Sequence, residues 1–418
     1  MKNNNVAVIV LAAGKGKRMK SQTPKVLHPL CGRPMIGYAL DLVKGLRPTK
    51  VVVVLGHKFK EVKPELPAGV EIAIQKQLRG TADAVKLALL RLKKFCGTVL
   101  ILYADTPLLN KTTVDKLLKH HKDNALAATL LTANVSKPSG YGRILRDGYS
   151  CISGIIEEKD ADDYQKEIKE INTGIVCFNK DLLSEALKLV RPDNRKKEYY
   201  LTDAIAVLYR RGHLVENVNL NDVDEALGIN SRSDLAKANS IMQARINAEI
   251  MEQAVTIIDP DSAFISYGTK IGVDSLIYPF TVIERDVKIG KRCVVGPFVH
   301  LREGTRLGDG VIAGNFLEIV RSNIGPKALL KHFSYIGDTK IGKQVNIGAG
   351  TVTANFDGKK KCLTVIGDNA FIGSDTVLVA PVKIGKRAKT GAGSVVVKNT
   401  HVPAGSVIAG VPAKPLKR

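Results

Sequence analysis

The sequence predicts an α/β protein in two parts. An N-terminal Rossmann-like domain with a mostly parallel sheet precedes a C-terminal left-handed parallel β-helix built from hexapeptide repeats. Three observations predict this. Short β-branched apolar runs alternate with helix-like stretches over residues 1–228. A stretch free of Gly and Pro fills residues 229–253. From 254 to 418 an aliphatic residue followed by glycine recurs with a period near six.

The first part reads as strands at "VAVIVLA" (6–12), "KVVVVLG" (50–56), "EIAIQ" (71–75) and "TVLILYA" (98–104). Helix-like stretches such as "PMIGYALDLVKGL" and "GTADAVKLALLRLKKF" separate them. Such alternation gives parallel strands with helices on both faces, and these sheets bind ligands at the carboxyl ends of their strands. "RSDLAKANSIMQARINAEIMEQ" (232–253) is rich in helix formers and reads as a connecting helix. Beyond it, pairs such as Ile271-Gly272, Ile289-Gly290, Leu307-Gly308, Ile324-Gly325, Ile341-Gly342 and Ile384-Gly385 recur. The steps between such pairs lie within one residue of a multiple of six. In a solenoid of this period each aliphatic side chain stacks inward on its counterpart one coil away, and the small residue after it permits the corner. A solenoid end needs a cap; the tail "VPAKPLKR" supplies prolines and positive charge for one.

Composition narrows the function classes. With 44% hydrophobic and 25% charged residues, the chain has a globular make-up. No apolar run is long enough to span a bilayer, and the first residues lack a secretory pattern, so a cytoplasmic protein without membrane partners is expected. The net charge of +23 is spread out, aromatics are 5% and tryptophan is absent, which argues against a nucleic-acid reader. The six cysteines show no Cys-x-x-Cys pair, so buried thiols rather than a zinc site are expected.

Two stretches of the first part can carry chemistry. "LAAGKGKRM" (11–19) follows a strand, and its Gly14 and Gly16 allow a curl of N–H groups toward phosphate oxygens. Lys15, Lys17, Arg18 and Lys25 add positive charge. It is neither a Walker A loop nor a dinucleotide fingerprint, and a basic turn accounts for it equally well. In "LYADTPLL" (102–109), Asp105 closes an apolar strand. A carboxylate there can hold Mg²⁺ against a nucleotide's phosphates; a helix cap or turn aspartate is the other reading. In the second part His332 interrupts the apolar repeat, as a general base or as a corner residue of the scaffold. "NIGAGTVTANFDGKKKC" (346–362) stretches the repeat and should loop out of the solenoid.

"LAAGKGKRM…PKVLHPLCGRPMI", "GTADA", "LYADTPLL", "GYGRI", "IIEEKDA", "INTGI", "EYYLTDA" and "LGINSR" resemble the sugar-1-phosphate nucleotidyltransferase family. Together with "GPFVHLREG", "GNFLEI", "HFSYIGD", "NIGAGTVTANFDG" and "FIGSDTVLVAPV" they resemble the bifunctional GlmU family. The resemblance covers nearly the whole chain with the motifs in the family's order. It implies an N-acetylglucosamine-1-phosphate uridylyltransferase in the first part and a glucosamine-1-phosphate N-acetyltransferase in the second. The partners implied are UTP, sugar 1-phosphates and acetyl-CoA as co-substrate, with Mg²⁺ as cofactor, in a homotrimer. A single-activity nucleotidyltransferase whose solenoid only trimerises it is the alternative.

By the same resemblance Arg18 and Lys25 act on the phosphates, and Leu11, Ala12, Ala13, Gly14, Gln75, Gly80, Thr81 and Tyr103 hold the nucleotide. Gly142, Glu157 and Asn172 hold the sugar, and Asp105 and Asn230 ligate the metal. In the second part His332 is implied as the base. Arg302 and Lys361 bind the sugar phosphate, Glu318 the glucosamine, and Tyr335, Asn346, Asn355 and Phe356 the rest of the acceptor. Ala349, Ser374 and Ala392 line the acetyl-CoA groove. The chain departs from the family's pattern at Leu78, where glutamine is usual, at Asp83 for histidine, at Val320 for lysine and at Phe356 for tyrosine. Arg321, next to Val320, should point away from the site if it lies on a strand.

Overall fold

The computed structural model describes residues 5–416. Residues 1–4 and the Lys417-Arg418 end of the expected basic cap lie outside the described residues. The chain forms two compact units, one ending at Asn239, the other running from Ser240 and including Cys31–Arg33. The division falls inside the helix Arg232–Glu252 that makes up most of the expected connector.

The first unit is built on β1 (Val6–Ala12), β2 (Lys50–Leu55), β3 (Glu71–Ile74), β4 (Thr98–Tyr103), β5 (Ala128–Asn134), β6 (Gly142–Arg146), β7 (Ile152–Ile156), β8 (Glu170–Asn179) and β9 (Val215–Asn219). They form one sheet in the order β9-β5-β8-β4-β1-β2-β3, with the β6–β7 hairpin attached to β8. The run β4-β1-β2-β3 is parallel, as is β9 with β5, while β8 is antiparallel to both its neighbours. The continuous apolar runs follow from burial on both faces. Ala7, Ile9 and Leu11 of β1 join one core with Val85 and Phe178, whereas Val6, Val8 and Val10 join another with Ile36 and Leu117. β1 lies between β2 and β4, so the chain changes direction of winding there, and a crevice opens at the carboxyl ends.

The second unit is a solenoid of three stacked, parallel sheets, as expected for a left-handed β-helix of hexapeptide repeats. The first sheet starts at Thr256–Ile257, the second at Phe264–Ile265 and the third at Lys270–Ile271. In the second sheet Ile265, Ile283, Leu301, Ile319 and Ile336 stack in register and are fully buried. Each such side chain stabilises the fold by about 1.5–3 kcal/mol.

The glycines after the aliphatic residues serve a different purpose from the one expected. A Cβ on Gly325 would sit 2.5 Å from the carbonyl carbon of Gly342 in the next coil, so close stacking of coils demands the glycine. The turn itself is made two residues later by residues in the left-handed region, such as Arg292 (φ 53°), Lys327 (φ 58°) and Arg387 (φ 58°). The described part of the expected cap forms a hairpin on the last coil: Ala413–Pro415 pairs antiparallel with Val407–Gly410 and occupies the sheet edge. The cysteines are also less uniform than expected. Cys177 and Cys293 are buried, but Cys96 and Cys151 are exposed.

Candidate functional sites

In the first unit the predicted residues gather at the carboxyl ends of β1, β3 and β4. Leu11 and Ala12 end β1, and Ala13 is buried just beyond. Gly14 is open, since a Cβ there would meet nothing within 4 Å, so space beside the backbone rather than a special conformation distinguishes it. Gly16 does need its glycine: its φ is 60°, and a Cβ would lie 2.7 Å from the Lys25 Cβ. The loop is thereby pressed onto the stem of Lys25. Arg18 stands exposed in the short turn Lys17–Met19.

The Lys25 ammonium is the hub. It is ion-paired with the Asp105 carboxylate and donates to the Asn230 Oδ1 at 3.2 Å. Asp105 lies in a turn two residues past β4, and the helix that follows begins only after Asn110, so Asp105 is not its N-cap. Its carbonyl accepts the Ile229 N–H at 2.8 Å, which draws Asn230 in; the Asn230 N–H is held in turn by Asp234 at 2.9 Å. Two hard oxygens, from Asp105 and Asn230, thus converge on a centre of positive charge. That donor set fits Mg²⁺, which takes few protein ligands and fills its shell from substrate oxygens and water.

Gln75 and Gly80 face each other across the start of the helix Thr81–Leu89. The Gln75 Nε2 donates to the Gly80 carbonyl at 3.0 Å and to Asp83 at 2.9 Å. Thr81 Oγ1 accepts the Leu201 N–H at 2.9 Å. Leu78 packs against the hydrophobic core, and the neighbouring Gln77 is bonded by Arg79. The residues expected to hold the sugar form a second group. Gly142 pairs with Asn172 across β6 and β8, and the Asn172 Oδ1 accepts the Gly174 N–H at 3.0 Å. Gly174 in turn abuts Tyr103, where a Cβ would come within 2.9 Å of the ring. Glu157 accepts from Thr202 at 3.2 Å. Burial pushes its carboxyl above the usual range, and burial, together with Glu157 and Asp105, raises the Tyr103 phenol. Thr202 and Asp203 were missed by sequence reasoning, although "EYYLTDA" stood out, and Asp83 stood there only as a departure from the family's histidine.

In the second unit several of the residues lie across one face of the second sheet. His300, Glu318 and Tyr335 are in register on successive coils. Arg302 donates to Glu318 at 2.9 Å, and His300 contacts Glu284 at 2.9 Å. At the corner after this sheet, Arg321 grips Asp338 through two bonds of 2.7 and 2.8 Å, and Asn355 also donates to Asp338. These contacts, Arg321 first, hold the Asp338 carboxyl below its ordinary range. Lys361 adds positive charge nearby, on a loop closed by the Phe356–Lys361 bridge and the Cys362 N–H to Asn355 carbonyl bond of 2.7 Å. That loop leaves the solenoid as the stretched repeat predicts. Arg321 corrects an expectation. The strand ends at Val320, which is 3% exposed, and Arg321 takes a left-handed turn (φ 46°), so it joins the cluster instead of pointing away.

His332 stands exposed at the other corner of the same face, just before the strand Ser334–Gly337. Continuing the register of Leu330–Ile347–Ile372–Thr390 places His332, Ala349, Ser374 and Ala392 in one column on successive coils. The Asp375 N–H to Ala349 carbonyl bond (2.6 Å) and the Gly393 N–H to Ser374 carbonyl bond (2.8 Å) tie that column together. Asn346 is half-buried on the first sheet, in register with Leu329 and Phe371, and Phe356 is exposed. The next position along the corner carries Phe280, Phe298 and Phe316, stacked with centroids 4.9 and 5.0 Å apart and all largely exposed.

Comparison with known proteins agrees with both halves. The MobA-like NTP transferase domain family matches residues 8–198, and the bacterial transferase hexapeptide (six repeats) family matches 268–303 and 363–398. The unmatched stretch between those two spans holds the tightened corner, His332 and the loop. Proteins named "Bifunctional protein GlmU" are similar over almost the full length. That of Heliobacterium modesticaldum is 43% identical, covering 96% of this chain and 94% of its own. That of Syntrophotalea carbinolica is 42% identical, with coverages of 96% and 93%. That of Acetivibrio thermocellus is 41% identical, with coverages of 93% and 91%.

Proposed function

The chain belongs to the bifunctional GlmU family, and we propose that its two units perform the two steps leading to UDP-N-acetylglucosamine. The solenoid acetylates glucosamine 1-phosphate with acetyl-CoA. The N-terminal unit transfers UMP from UTP to N-acetylglucosamine 1-phosphate and releases pyrophosphate.

The observation that carries the reading is the face between the two corners of the second sheet. Cationic Arg302 and Lys361, with Asn355, sit toward one corner, His332 and the Ala349–Ser374–Ala392 column at the other, and Glu318 and Tyr335 between. A sugar phosphate laid across this face has its phosphate at the first corner and its amine directed toward the second. Asn346 and the Phe356 backbone complete the acceptor site. His332 takes the proton as the amine nitrogen attacks the thioester carbonyl; the new C–N bond forms, the C–S bond breaks, and coenzyme A leaves as the thiol. Ala349 and Ala392, with no bulk, and Ser374, with one hydroxyl, leave a channel for the pantetheine arm.

In the first unit Leu11 to Gly14, Gln75, Gly80, Thr81 and Tyr103 hold the nucleotide, while Gly142, Glu157 and Asn172 hold the sugar. A phosphate oxygen of N-acetylglucosamine 1-phosphate attacks the α-phosphorus as the bond to pyrophosphate breaks. Arg18 and Lys25 offset the charge on the phosphate oxygens, the main work of the protein in such a step. Asp105 and Asn230 would hold Mg²⁺, which neutralises phosphate charge when bound. The exposed phenylalanine ladder beside the His332 column supports a homotrimer, in which a second copy covers it. No described helix is long and apolar enough to cross a membrane; nucleotide and acetyl-CoA substrates favour a cytoplasmic enzyme.

The test is a pair of assays on the purified protein. Acetyl-CoA with glucosamine 1-phosphate releases thiol; UTP with N-acetylglucosamine 1-phosphate and Mg²⁺ releases pyrophosphate. His332→Gln is expected to slow thiol release by about 10²–10⁴-fold while pyrophosphate release is unchanged. Thiol release at the wild-type rate in that variant overturns the assignment of the base.

A further inference from the structure

We propose that Asp83 is a positioning residue that fixes the orientation of the Gln75 amide, so that the nucleotide site admits a base carrying a ring N–H and rejects one carrying a bare ring nitrogen. The inference rests on the reading that a nucleoside triphosphate binds at the carboxyl end of β3.

The geometry is specific. Gln75 follows β3, 4% exposed, with its backbone N–H held by the Leu55 carbonyl at 2.8 Å. Its Nε2 carries two hydrogens. One goes to the Gly80 carbonyl at 3.0 Å, the other to the Asp83 carboxylate at 2.9 Å. The donor capacity of the amide is therefore used up within the protein. Among the described residues no hydrogen bond to the Gln75 Oε1 occurs. Whatever meets this side chain from the crevice meets an acceptor.

An unanchored amide could turn over and offer its NH₂ instead. Here the turned state would bring Oε1 against a carbonyl oxygen and a carboxylate oxygen, neither of which can donate. Gly80 alone leaves that state penalised by one contact. Asp83, an acceptor only, doubles the penalty with a charged partner. Of the neighbours, Gln77 has its amide oxygen engaged by Arg79, and Leu78 is packed on the core.

The consequence is base selection. Uracil and thymine present an N–H at ring position 3, flanked by carbonyls, and satisfy a fixed acceptor. Cytosine presents a lone pair at that position, which faces Oε1 without a proton between. A buried polar group left unpaired in this way is a strong discriminator.

The experiment measures kcat/KM for pyrophosphate release from UTP and from CTP, with N-acetylglucosamine 1-phosphate and Mg²⁺, in the full chain. The wild type is expected to favour UTP by about 10²-fold or more. Asp83→Leu, which removes the acceptor, is expected to reduce the UTP/CTP ratio at least tenfold, partly by gaining activity on CTP. Asp83→Asn, whose amide can donate as well as accept, penalises the turned state less and is expected to give a ratio between those of the wild type and Asp83→Leu. A general structural lesion would lower both substrates together and leave the ratio unmoved, and that result overturns the role of Asp83. So does a wild type that uses UTP and CTP alike. A wild type that releases pyrophosphate from no nucleoside triphosphate defeats instead the reading on which the inference rests. If Asp83→Leu does not fold, as judged by circular dichroism, Asp83→Ala is read in its place with the same expectations.

Discussion

Replacing Gly80 by alanine tests how tightly the loop before the helix Thr81–Leu89 is built. Gly80 has φ 117° and ψ 176°, a region that only glycine occupies comfortably, and strain there costs about 1–3 kcal/mol. The added Cβ would also lie 2.3 Å from the Tyr199 carbonyl oxygen and 2.8 Å from its nitrogen, whereas real Cβ contacts stay above 3.0 Å. The two segments must part by at least 0.7 Å, the difference between 3.0 and 2.3. Tyr199 is not free to yield. Its N–H donates to the Arg79 carbonyl at 2.8 Å, and its own carbonyl accepts the Ala82 N–H at 2.9 Å. Losing one or both of these adds about 1 kcal/mol each. The total is about 2–5 kcal/mol, which lowers the melting temperature of a unit this size by about 4–20 °C. Heating the protein and assaying both activities separates the units. Pyrophosphate release should be inactivated at the lower temperature, with thiol release following the wild-type curve. A Gly80→Ala protein whose pyrophosphate-releasing activity survives heating like the wild type refutes the crowding argument.

Two further changes test the packing elsewhere. Asn247 is fully buried in the helix Arg232–Glu252, and its Nδ2 donates to the Pro260 carbonyl at 2.8 Å and the Ala263 carbonyl at 3.1 Å. Asn247→Ala strands both carbonyls at the start of the solenoid and is expected to cost about 2–4 kcal/mol, read as a lower denaturant midpoint for thiol release. Asp203 is raised from its ordinary 3.8 to about 6, first by burial and then by Glu157, Asp160 and Asp193. Its folded form holds the proton more tightly than the unfolded chain, so this group lowers stability as pH rises from about 4 to about 6, and the penalty is full above that. Asp203→Asn should therefore raise the melting temperature at pH 7.5, and the gain should vanish below about pH 4; a gain that grows on acidification contradicts the assignment.

Periodic features were legible in the sequence. The period near six identified the solenoid because each coil repeats the same burial demand, and the apolar runs of β1, β2 and β4 announced a sheet covered on both faces. Local spacing did not reveal what depends on register between distant segments. Nothing near "EINTGIVCFN" indicates that β8 runs against its neighbours, because crossover connections set that direction. Arg321 was expected to point away because a strand was assumed to continue through it, and only the early corner at Val320 turns it inward. The Asp83 carboxylate looked like a lost histidine; its partnership with Gln75 needs β3 and the following helix to be placed first. Gly14 and Gly16 look alike in sequence, yet only the second is forced, by the stem of Lys25.

The column that carries His332, Ala349, Ser374 and Ala392 advances by one coil at each step. Adjacent coils are about 4.8 Å apart, so the run from the histidine to Ala392 measures about 14 Å over its three steps. Such a groove can be lengthened or shortened only in whole increments. Deleting the 18 residues that separate Ser374 from Ala392 would keep every remaining coil in register and remove one rung, whereas deleting nine would rotate all later residues onto the wrong face. Under the proposed assignment of this corner to acetyl-CoA, the acyl donor is graduated by coil number: a thioester arm one rung too long or too short would not bring its carbonyl to the imidazole, however well its far end were held.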